Sequence, residues 1–478
     1  MNNLRSAATA LACVLLSALG FYFSLGLGNQ WWLAWIAPVP VLWFAFGNIR
    51  PGAAFLAAFI SAALGGCSIL RAYAGLLPPS VLASAIGGFA VTFAFSVLAA
   101  RRVERRLGPI AGMTAFAAVW TAFDFLASFT SDGGSASTPA GAEVGAPFLI
   151  QSAALVGFLG LTFLLGLVAA GIALSLRRGN ILPVALAAAV FVVNAAYGSW
   201  RMSAPPAAHI RVALIDSNDT MGPVRRGDRI AALKDIDAYA LQIGKLRTAH
   251  VQLIVLPENI AQIAPEWRAE AQAKLAAAAR ETGATLVAGF NTAVGGDARN
   301  VSWAFMPGNP APVTYIKRRL VPVLETRLYR PGSGPGVLGN GIGLEICKDM
   351  DFQAMLRADE RATRPMLLAV PAWDFDRDDW FHARVAILRS VENGVPMART
   401  ARDGLLTLND RYGRIVAAAR TRGGFRTLIG NLPLDGKGGG TLYDKIGDVL
   451  GWFCLLLGAL LIGWSFTPAS RRASQISK

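Results

Sequence analysis

Long apolar runs constrain the fold of this chain more than any other feature. Seven runs follow one another between about residues 6 and 197, and an eighth covers residues 447–466. A helix needs roughly 20 apolar residues to cross the hydrocarbon core of a bilayer, and most of these runs approach or exceed that length. The first run lacks a small-residue cleavage site and is followed by further runs, so we interpret it as a retained helix rather than a signal peptide.

We therefore predict an integral membrane protein with eight transmembrane helices, seven before a polar region and one after it. The predicted spans are 7–26, 31–46, 53–77, 81–100, 110–129, 152–176, 181–197 and 447–466. The hydrophobic fraction of 54% and the mean hydropathy of +0.44 are too high for an ordinary soluble protein. Many basic residues behind the net charge of +15 lie in short loops beside apolar runs, which favours membrane orientation over nucleic-acid binding.

The loop charges predict which side of the membrane each loop faces. The connections at 28–30, 78–80 and 131–147 contain no Lys or Arg, whereas the alternate connections are basic. The basic residues on this second side are Arg5, Arg50, Arg101, Arg102, Arg105, Arg106, Arg177, Arg178, Arg471, Arg472 and Lys478. By the positive-inside rule these residues are cytoplasmic, so we expect the region between the seventh and eighth spans to lie in the periplasm, outside the bacterial inner membrane.

Two polar residues fall inside the predicted spans. Arg71 lies near the outer end of its span, where a long basic side chain reaches the interface. Asp124 lies deeper in the fifth span. A hydrogen bond between helices is one interpretation of Asp124, and a direct role in substrate binding is the alternative.

The polar region alternates strand-like and helix-like segments. Runs at 210–215, 251–256, 285–289, 341–346 and 366–370 have the composition of buried strands, and those at 229–248, 266–282 and 383–393 have helical spacing. We therefore predict an α/β domain. The predicted boundaries are 1–198 for the first transmembrane bundle, 199–446 for the α/β domain, 447–466 for the last helix and 467–478 for a basic cytoplasmic tail.

Three polar or turn positions follow strand-like runs of this domain. Glu258, Cys347 and Pro371 each come directly after such a run or within two residues of its end. Sites of open α/β sheets gather beyond the carboxyl ends of the strands. We therefore expect these three positions to lie near a common edge.

Cys347 is the only one of the four cysteines that lies outside the apolar runs. The α/β domain therefore cannot contain an internal disulfide, and no Cys or His pair has the spacing of a metal site. A thiol needs a neighbouring base or cation to become a nucleophile. The alternative interpretation of a lone cysteine is an inert buried side chain.

Two charged residues are candidate partners of this thiol. Glu258 ends an apolar strand, where partial burial raises proton affinity and suits a general base; a capping or salt-bridging role is the alternative. Lys317 lies beside two arginines, so it belongs either to a solvated basic face or to an oxyanion-stabilising site. No histidine has a spacing that compels a Cys–His pair.

Taken in order, five segments resemble landmarks of the nitrilase superfamily. They are Leu-Pro-Glu at 256–258, Tyr-Ile-Lys-Arg-Arg-Leu-Val-Pro-Val-Leu-Glu at 315–325, Glu-Ile-Cys-Lys-Asp-Met-Asp-Phe at 345–352, Pro-Ala-Trp at 371–373 and Arg-Ser-Val-Glu-Asn at 389–393. With apolar spans on both sides, the chain resembles one membrane branch in particular, the apolipoprotein N-acyltransferases. The segments at 151–163 and 441–448 are also similar to that branch.

The resemblance implies a four-layer αββα sandwich and a Glu–Lys–Cys catalytic set. Cys347 would be the nucleophile, Glu258 the general base and Lys317 the oxyanion-stabilising cation. Glu325, Trp373 and Asp349 would surround them. The implied reaction moves an acyl chain from a phospholipid, through a Cys347 thioester, onto the amine of a lipoprotein's N-terminal cysteine, with no cofactor and no metal.

Three features differ from that branch. Only 30 positions separate Lys317 from Cys347, Cys347 is followed by Lys348 and Asp349, and Leu256 stands where the branch often has Trp. The short segment favours a different amine acceptor. A membrane-anchored amidase or nitrilase, in which water replaces the amine, is the other class, and a non-enzymatic protein is the third.

Overall fold

The computed structural model describes residues 2–218, 228–294, 296–435 and 440–467. The chain divides into two compact units. One combines the chain up to Met202 with the chain from Ile446, and the other is Ser203–Lys445. Of the predicted tail at 467–478, all residues beyond Thr467 lie outside the described residues, as does the side chain of Arg5.

The first unit is helical. Its α-helices are α1 (Asn2–Ser24), α2 (Trp31–Ala34), α3 (Val39–Ala45), α4 (Pro51–Gly66), α5 (Leu70–Tyr73), α6 (Pro79–Leu107), α7 (Pro109–Thr130), α8 (Ala153–Val156), α9 (Phe158–Arg178), α10 (Leu182–Arg201) and, after the second unit, α16 (Val449–Phe466). Within the described residues, seven helical segments are long and apolar enough to cross a membrane. Buried aromatic and small side chains form the main core of the helices before the second unit, and α16 packs against α7 in a smaller cluster with Ala118, Ala122 and Cys454.

The second predicted span is the one that does not form a single long helix. The segment from Trp31 to Ala45 is broken into α2 and α3, so a count of eight spans is not confirmed. Pro38 and Pro40 lie at the break. Proline has no backbone N–H to donate and restricts the residue before it, so two prolines so close together interrupt a helix that hydropathy alone would continue.

Arginines gather at one end of the helical unit. Arg101, near the end of α6, donates to the carbonyl of Gly47 at 2.7 Å, and Arg102 donates to Ser465 near the end of α16 at 3.0 Å. Arg178 at the end of α9 donates to Glu104 at 2.8 Å. The loop after α3 and the ends of α6, α9 and α16 therefore share one end, as the loop charges predict.

The two polar residues of the spans have partners within this unit. Asp124 on α7 accepts hydrogen bonds from Thr138 and from Thr162 on α9, both at 2.7 Å. The bond to Thr162 joins α7 to α9, as the first of the two interpretations of Asp124 predicted. Arg71 is exposed and donates to the carbonyl of Leu27 at 3.3 Å.

The second unit contains two β-sheets and the remaining helices. Its strands are β1 (Ala208–Ser217), β2 (Leu253–Val255), β3 (Gln262–Ile263), β4 (Thr285–Val294), β5 (Asp297–Phe305), β6 (Val313–Ile316), β7 (Gly336–Val337), β8 (Ile342–Leu344), β9 (Leu367–Trp373), β10 (Met397–Arg402), β11 (Leu405–Asn409), β12 (Ile415–Arg420) and β13 (Phe425–Leu434). Its helices are α11 (Arg229–Gly244), α12 (Arg268–Thr282), α13 (Gln353–Thr363), α14 (Asp379–Asn393) and α15 (Leu442–Ile446). One sheet has the order β13-β1-β2-β4-β5-β6, with β3 beside β4, and the other has the order β12-β11-β10-β9-β8-β7.

Alternate residues of the central strands pack into different hydrophobic cores, and this defines the layers of the second unit. In β1, Val212 and Leu214 join a core shared with β8 to β11, whereas Ala213 and Ile215 join a core shared with α11 and α12. In β9, Leu368 packs with α13 and α14, on the other side of the second sheet. Because successive strand residues point to opposite faces, the unit is the four-layer αββα sandwich that the resemblance implies.

Hydrogen bonds join the two sheets at the carboxyl ends of their central strands. The amide of Glu258, just beyond β2, donates to the carbonyl of Ala372 on β9 at 3.2 Å. Gly289 on β4 allows the close approach of this turn, because a Cβ there would lie 2.6 Å from the Cα of Glu258. The predicted common edge is present, although β9 continues through Pro371 to Trp373 instead of ending before it.

Candidate active site

A buried lysine between two carboxylates forms the centre of the candidate site. Lys317, just beyond β6, places its Nζ 2.8 Å from Oε1 of Glu258 and 2.8 Å from Oε2 of Glu325. The Lys317 side chain is 1% exposed and that of Glu258 2% exposed. An ion pair this deeply buried persists only where the remaining polar atoms are also bonded.

Asn300 on β5 supplies the additional hydrogen bonds. Its Nδ2 donates to Oε1 of Glu258 at 2.6 Å and to Oε1 of Glu325 at 2.8 Å. Glu325 also accepts the backbone N–H of Val321 at 2.7 Å, which closes the turn after β6. Both carboxylates are therefore oriented by an ammonium and an amide, and the exposed basic face considered for Lys317 is excluded.

Burial and charge set the protonation of these groups. Burial and the charge of Glu325 raise the pKa of Glu258 above its usual value, although the charge of Lys317 and the hydrogen bonds from Lys317 and Asn300 oppose this. Burial alone would lower the pKa of Lys317, but Glu258, Glu325 and Cys347 raise it well above its usual range. The lysine is therefore a permanent cation in this site.

Cys347 lies half-buried within the electrostatic reach of this cluster. Burial raises the pKa of its thiol well above the usual range and the charge of Glu258 raises it further, whereas Lys317 and Arg399 lower it. Its resting form is the neutral thiol. A proton passed from this thiol to Glu258 leaves the total charge of the cluster unchanged, so the thiolate forms beside a fixed cation.

The backbone at Cys347 has an unusual conformation. Two residues separate Cys347 from the end of β8. Cys347 is the first residue of a short 3₁₀ helix over Cys347–Asp351 and has φ of +45°. Left-handed φ in a residue with a Cβ costs about 1–3 kcal/mol and is found at functional turns. The S–H of Cys347 donates a hydrogen bond to the carbonyl oxygen of Trp373, with the Sγ 3.6 Å from that oxygen.

Trp373 is held in place on two sides. The guanidinium of Arg402 lies 4.1 Å from the centre of its ring, and its indole N–H donates to Asp403 at 3.2 Å. The residue contacts Cys347 through its backbone carbonyl.

Asp349 acts at a different place from the other predicted residues. Its Oδ1 accepts the backbone N–H of Arg319 at 2.8 Å, and its Oδ2 accepts that of Ile346 at 3.2 Å. It therefore ties the turn after Lys317 to the turn before Cys347. The structure thus brings Glu258, Lys317 and Glu325 into direct contact, and places Cys347, Trp373 and Asp349 around them.

Several members of the site were missed by the sequence interpretation. Asn300 lies 42 positions from Glu258 in the chain and belongs to none of the motifs. Asp374 and Arg399 form a fully buried ion pair whose charges act on the Cys347 thiol. Tyr315 is part of a quoted motif, but its hydroxyl partners Glu345 and Asp349 come from a different segment. Asn300 follows Asp297 and Arg299 in the polar first half of β5, so no pattern in the sequence singles it out.

Comparisons with known proteins match both parts of the chain. Residues 12–171 match the apolipoprotein N-acyltransferase N-terminal domain, and residues 218–435 match the carbon-nitrogen hydrolase domain. A protein from Geobacter metallireducens named apolipoprotein N-acyltransferase is 25% identical over 92% of this chain and 92% of its own length. One of the same name from Allorhizobium ampelinum is 27% identical over 83% of this chain and 79% of its own length.

Among solved structures, an amidase from Nesterenkonia sp. AN1 is 20% identical and covers 50% of this chain and 97% of its own, with a TM-score of 0.40. The two domain matches occur in the order that the apolar helices and the αββα sandwich occupy in the chain. The chain is a bacterial membrane protein that combines an apolipoprotein N-acyltransferase N-terminal domain with a carbon–nitrogen hydrolase domain, the two parts of the family that its sequence resembles.

Proposed function

We propose that this protein moves an acyl chain from a phospholipid, through a thioester on Cys347, onto an amine. The proposed acceptor is the free α-amine of a lipoprotein's lipidated N-terminal cysteine, which the names of its relatives support. The observation that carries the proposal is the buried Lys317, held between Glu258 and Glu325 within electrostatic reach of a half-buried thiol. The fold alone would not suffice, because one fold serves many reactions.

In the first half-reaction, the Cys347 sulfur attacks the acyl ester carbonyl as its proton passes to Glu258. Lys317 has three N–H donors and uses two on the carboxylates, so the third can stabilise the oxyanion. When the tetrahedral intermediate collapses, the C–O bond breaks and the departing alkoxide takes the proton from Glu258. The products are a thioester and a lysophospholipid.

In the second half-reaction, the amine attacks the thioester carbonyl and gives a proton to Glu258. The C–S bond breaks, the thiolate regains that proton and the amide leaves. Dividing the transfer into two steps lets one site serve two substrates in turn. No step needs a metal or an organic cofactor.

The surrounding residues have supporting roles in this scheme. Glu325 shares Lys317 with Glu258, so it holds the cation in place while Glu258 changes protonation. Asp349 sets the distance between the Lys317 and Cys347 turns. Trp373 orients the thiol through its carbonyl, and the stacking of Arg402 on its ring keeps the residue in place.

The acceptor is the part of the proposal with a competing candidate. The segment between Lys317 and Cys347 contains just the two short strands Gly336–Val337 and Ile342–Leu344. A different amine would suit so small a surface, and water would make the protein an amidase. These outcomes separate in one experiment with the purified protein, a phospholipid labelled in its acyl chain, and intact mass analysis.

We expect an acyl adduct on Cys347 that accumulates without amine and discharges when a diacylated lipopeptide is added. Discharge by other amines but not by the lipopeptide would redirect the acceptor. Prompt release of free fatty acid from the phospholipid, or of ammonia from a separately added amide, would replace the transferase with a hydrolase. Cys347→Ser is expected to form no thioester while the protein still inserts, and normal acylation by that variant would remove Cys347 from the mechanism.

The loop charges support a periplasmic active site, and sidedness has its own test. A membrane-impermeant thiol reagent should modify Cys347 from the periplasmic face of the inner membrane, with peptide mass analysis separating it from Cys67. Modification from the cytoplasmic face alone would reverse the proposed orientation.

A further inference from the structure

Three buried side chains meet beside the candidate site in a way that requires an extra proton. The Tyr315 hydroxyl oxygen lies 2.8 Å from Oε2 of Glu345 and 2.8 Å from Oδ2 of Asp349. A phenol has one O–H and donates to one acceptor at a time. If both carboxyls were ionised, one carboxylate oxygen would face the lone pairs of the phenol at hydrogen-bond distance.

The charges around this group also favour a neutral carboxyl. Arg318 donates through Nε to the Tyr315 oxygen at 3.1 Å and through Nη2 to Oε1 of Glu345 at 3.3 Å. The same guanidinium forms a two-pronged ion pair with Asp359. Glu345 and Asp359 thus share one guanidinium, and Asp349 lies on the other side of the Tyr315 hydroxyl. The charge of Lys317 acts on Asp349 but is shared with Glu258 and Glu325, so no further cation is left to balance an ionised Glu345.

Hydrogen bonds decide which carboxyl is neutral. Asp349 accepts the backbone N–H groups of Arg318 at 3.2 Å, Arg319 at 2.8 Å and Ile346 at 3.2 Å, and such donors favour the ionised form. Burial and the charges of Asp349 and Asp359 raise the pKa of Glu345 well above its usual range, and Arg318 only partly offsets this.

One arrangement satisfies every atom of the group. Glu345 donates its acid proton to the Tyr315 oxygen, which also accepts from Nε of Arg318. The Tyr315 O–H then points to Asp349. Asp349 holds backbone N–H groups that lie directly after Lys317 and directly before Cys347.

We propose that Glu345 is a protonated positioning residue, and that its proton, acting through Tyr315 and Asp349, keeps Lys317 and Cys347 at working distance. The proposal rests on the proposed function only in taking Cys347 as the nucleophile. It predicts that a neutral donor at position 345 is required, and a negative charge there is not.

Two substitutions separate this role from simple filling of space. Glu345→Gln keeps a donor for Tyr315 and an acceptor for Arg318, so alkylation of Cys347 by iodoacetamide should proceed at the natural rate. Glu345→Leu fills the space without a donor and should slow alkylation and acyl-adduct formation about 10- to 100-fold, the size expected for misplaced reacting groups. Glu360→Gln, which neutralises another buried carboxyl on α13, is the matched control and should leave both rates unchanged.

Infrared spectroscopy detects the proton directly and keeps the test decisive even if the Leu variant does not fold. The difference spectrum of the natural protein minus E345Q at neutral pH should contain a carboxylic acid C=O band that shifts in D₂O. An ionised-carboxylate band in its place, or a Gln variant as slow as the Leu variant, would overturn the proposal. Neither the infrared band nor the alkylation rate uses phospholipid or amine, so a missing acyl adduct would refute the proposed function alone.

Discussion

Two buried glutamates, one in each unit of the molecule, show how environment decides the use of a carboxyl group. Glu143 lies in the helical unit, between α7 and α8 and outside the long spans, and Glu258 lies in the αββα sandwich. Both are almost completely buried. Glu143 receives one bond, from the indole N–H of Trp35 at 2.7 Å, whereas Glu258 receives an ammonium and an amide.

The two glutamates differ in whether a neighbouring cation offsets the cost of burying a carboxylate. Burial raises the pKa of Glu143 well above its usual range, and only the Trp35 hydrogen bond opposes this. Its Oε1 has no hydrogen-bond partner among the described residues. Glu143 is therefore a neutral acid in the fold, whereas Lys317 keeps Glu258 available as an anion. A cation beside a buried carboxyl favours its ionised form, which is the form that can accept a proton.

The largest effect on the rate of acyl-adduct formation is expected when Lys317, the cation beside Glu258, is removed. Lys317→Met should place Glu258 in surroundings like those of Glu143, where it holds its proton and cannot accept one from Cys347. Loss of the oxyanion donor adds to this, so we expect acyl-adduct formation to fall by about 10³-fold or more. Intact mass analysis over time measures the rate. Lys274→Met, which removes a surface lysine paired with Asp237, is the control and should retain full activity.

A smaller loss is expected from Glu258→Gln, which keeps the shape of the site but removes the base. Adduct formation should slow by about 10²- to 10⁴-fold, the usual contribution of general-base catalysis. The same exchange in the other unit, Glu143→Gln, should leave the rate unchanged because that side chain is already neutral. Equal effects of the two exchanges would contradict the contrast between the glutamates.

Trp35→Phe probes the single hydrogen bond of Glu143. Removing the indole N–H leaves a buried acid without its donor, at a cost of about 1–3 kcal/mol in stability. Thermal unfolding of the purified protein in detergent should show a lower midpoint, with unchanged acyl-adduct formation in the folded protein. Trp452→Phe on the exposed side of α16 is the control. An equal midpoint for the two Trp variants would show that the bond contributes nothing.

The smallest effect is the pH dependence of stability at Glu143. Because its folded pKa lies above its unfolded value, the unfolded chain releases this proton first as pH rises, and the folded state loses stability between the two pKa values. Glu143→Gln removes this contribution. We expect the variant to gain on the natural protein in unfolding midpoint from acidic to neutral pH, while Glu270→Gln at the surface should follow the natural protein. If the natural protein instead gained in unfolding midpoint on the Glu143→Gln variant as pH rises, Glu143 would be ionised in the folded protein.

Local features of the sequence were the easiest to predict. Hydropathy located the long spans because each depends on a continuous run, and it failed at Pro38 and Pro40 because run length ignores backbone hydrogen bonding. Strand signals located β1, β2, β4, β8 and β9, which are largely apolar. The strands from β10 to β13 were not predicted. Arg399 and Arg402 interrupt β10, polar residues interrupt β13, and three alanines give β12 little strand signal.

The site divides in the same way. Glu258 and Cys347 could be identified from their places after apolar strands, and Lys317, Glu325, Trp373 and Asp349 from the resemblance. Asn300 and the proton between Tyr315 and Glu345 could not, because they depend on contacts between segments 25 to 42 positions apart. The spacing of residues in the sequence does not predict contacts between distant segments, because these contacts depend on which strands are neighbours in the sheets.

The alternation of β1 limits where this protein can acquire new specificity. Over residues 212–217 every side chain is buried, with neighbouring residues committed to different cores. A one-residue insertion there would exchange the contents of both cores at once. New specificity is therefore expected to arise in segments whose side chains are not divided between two cores. The Gly- and Pro-rich stretch of residues 331–341, exposed over most of its length, is such a segment.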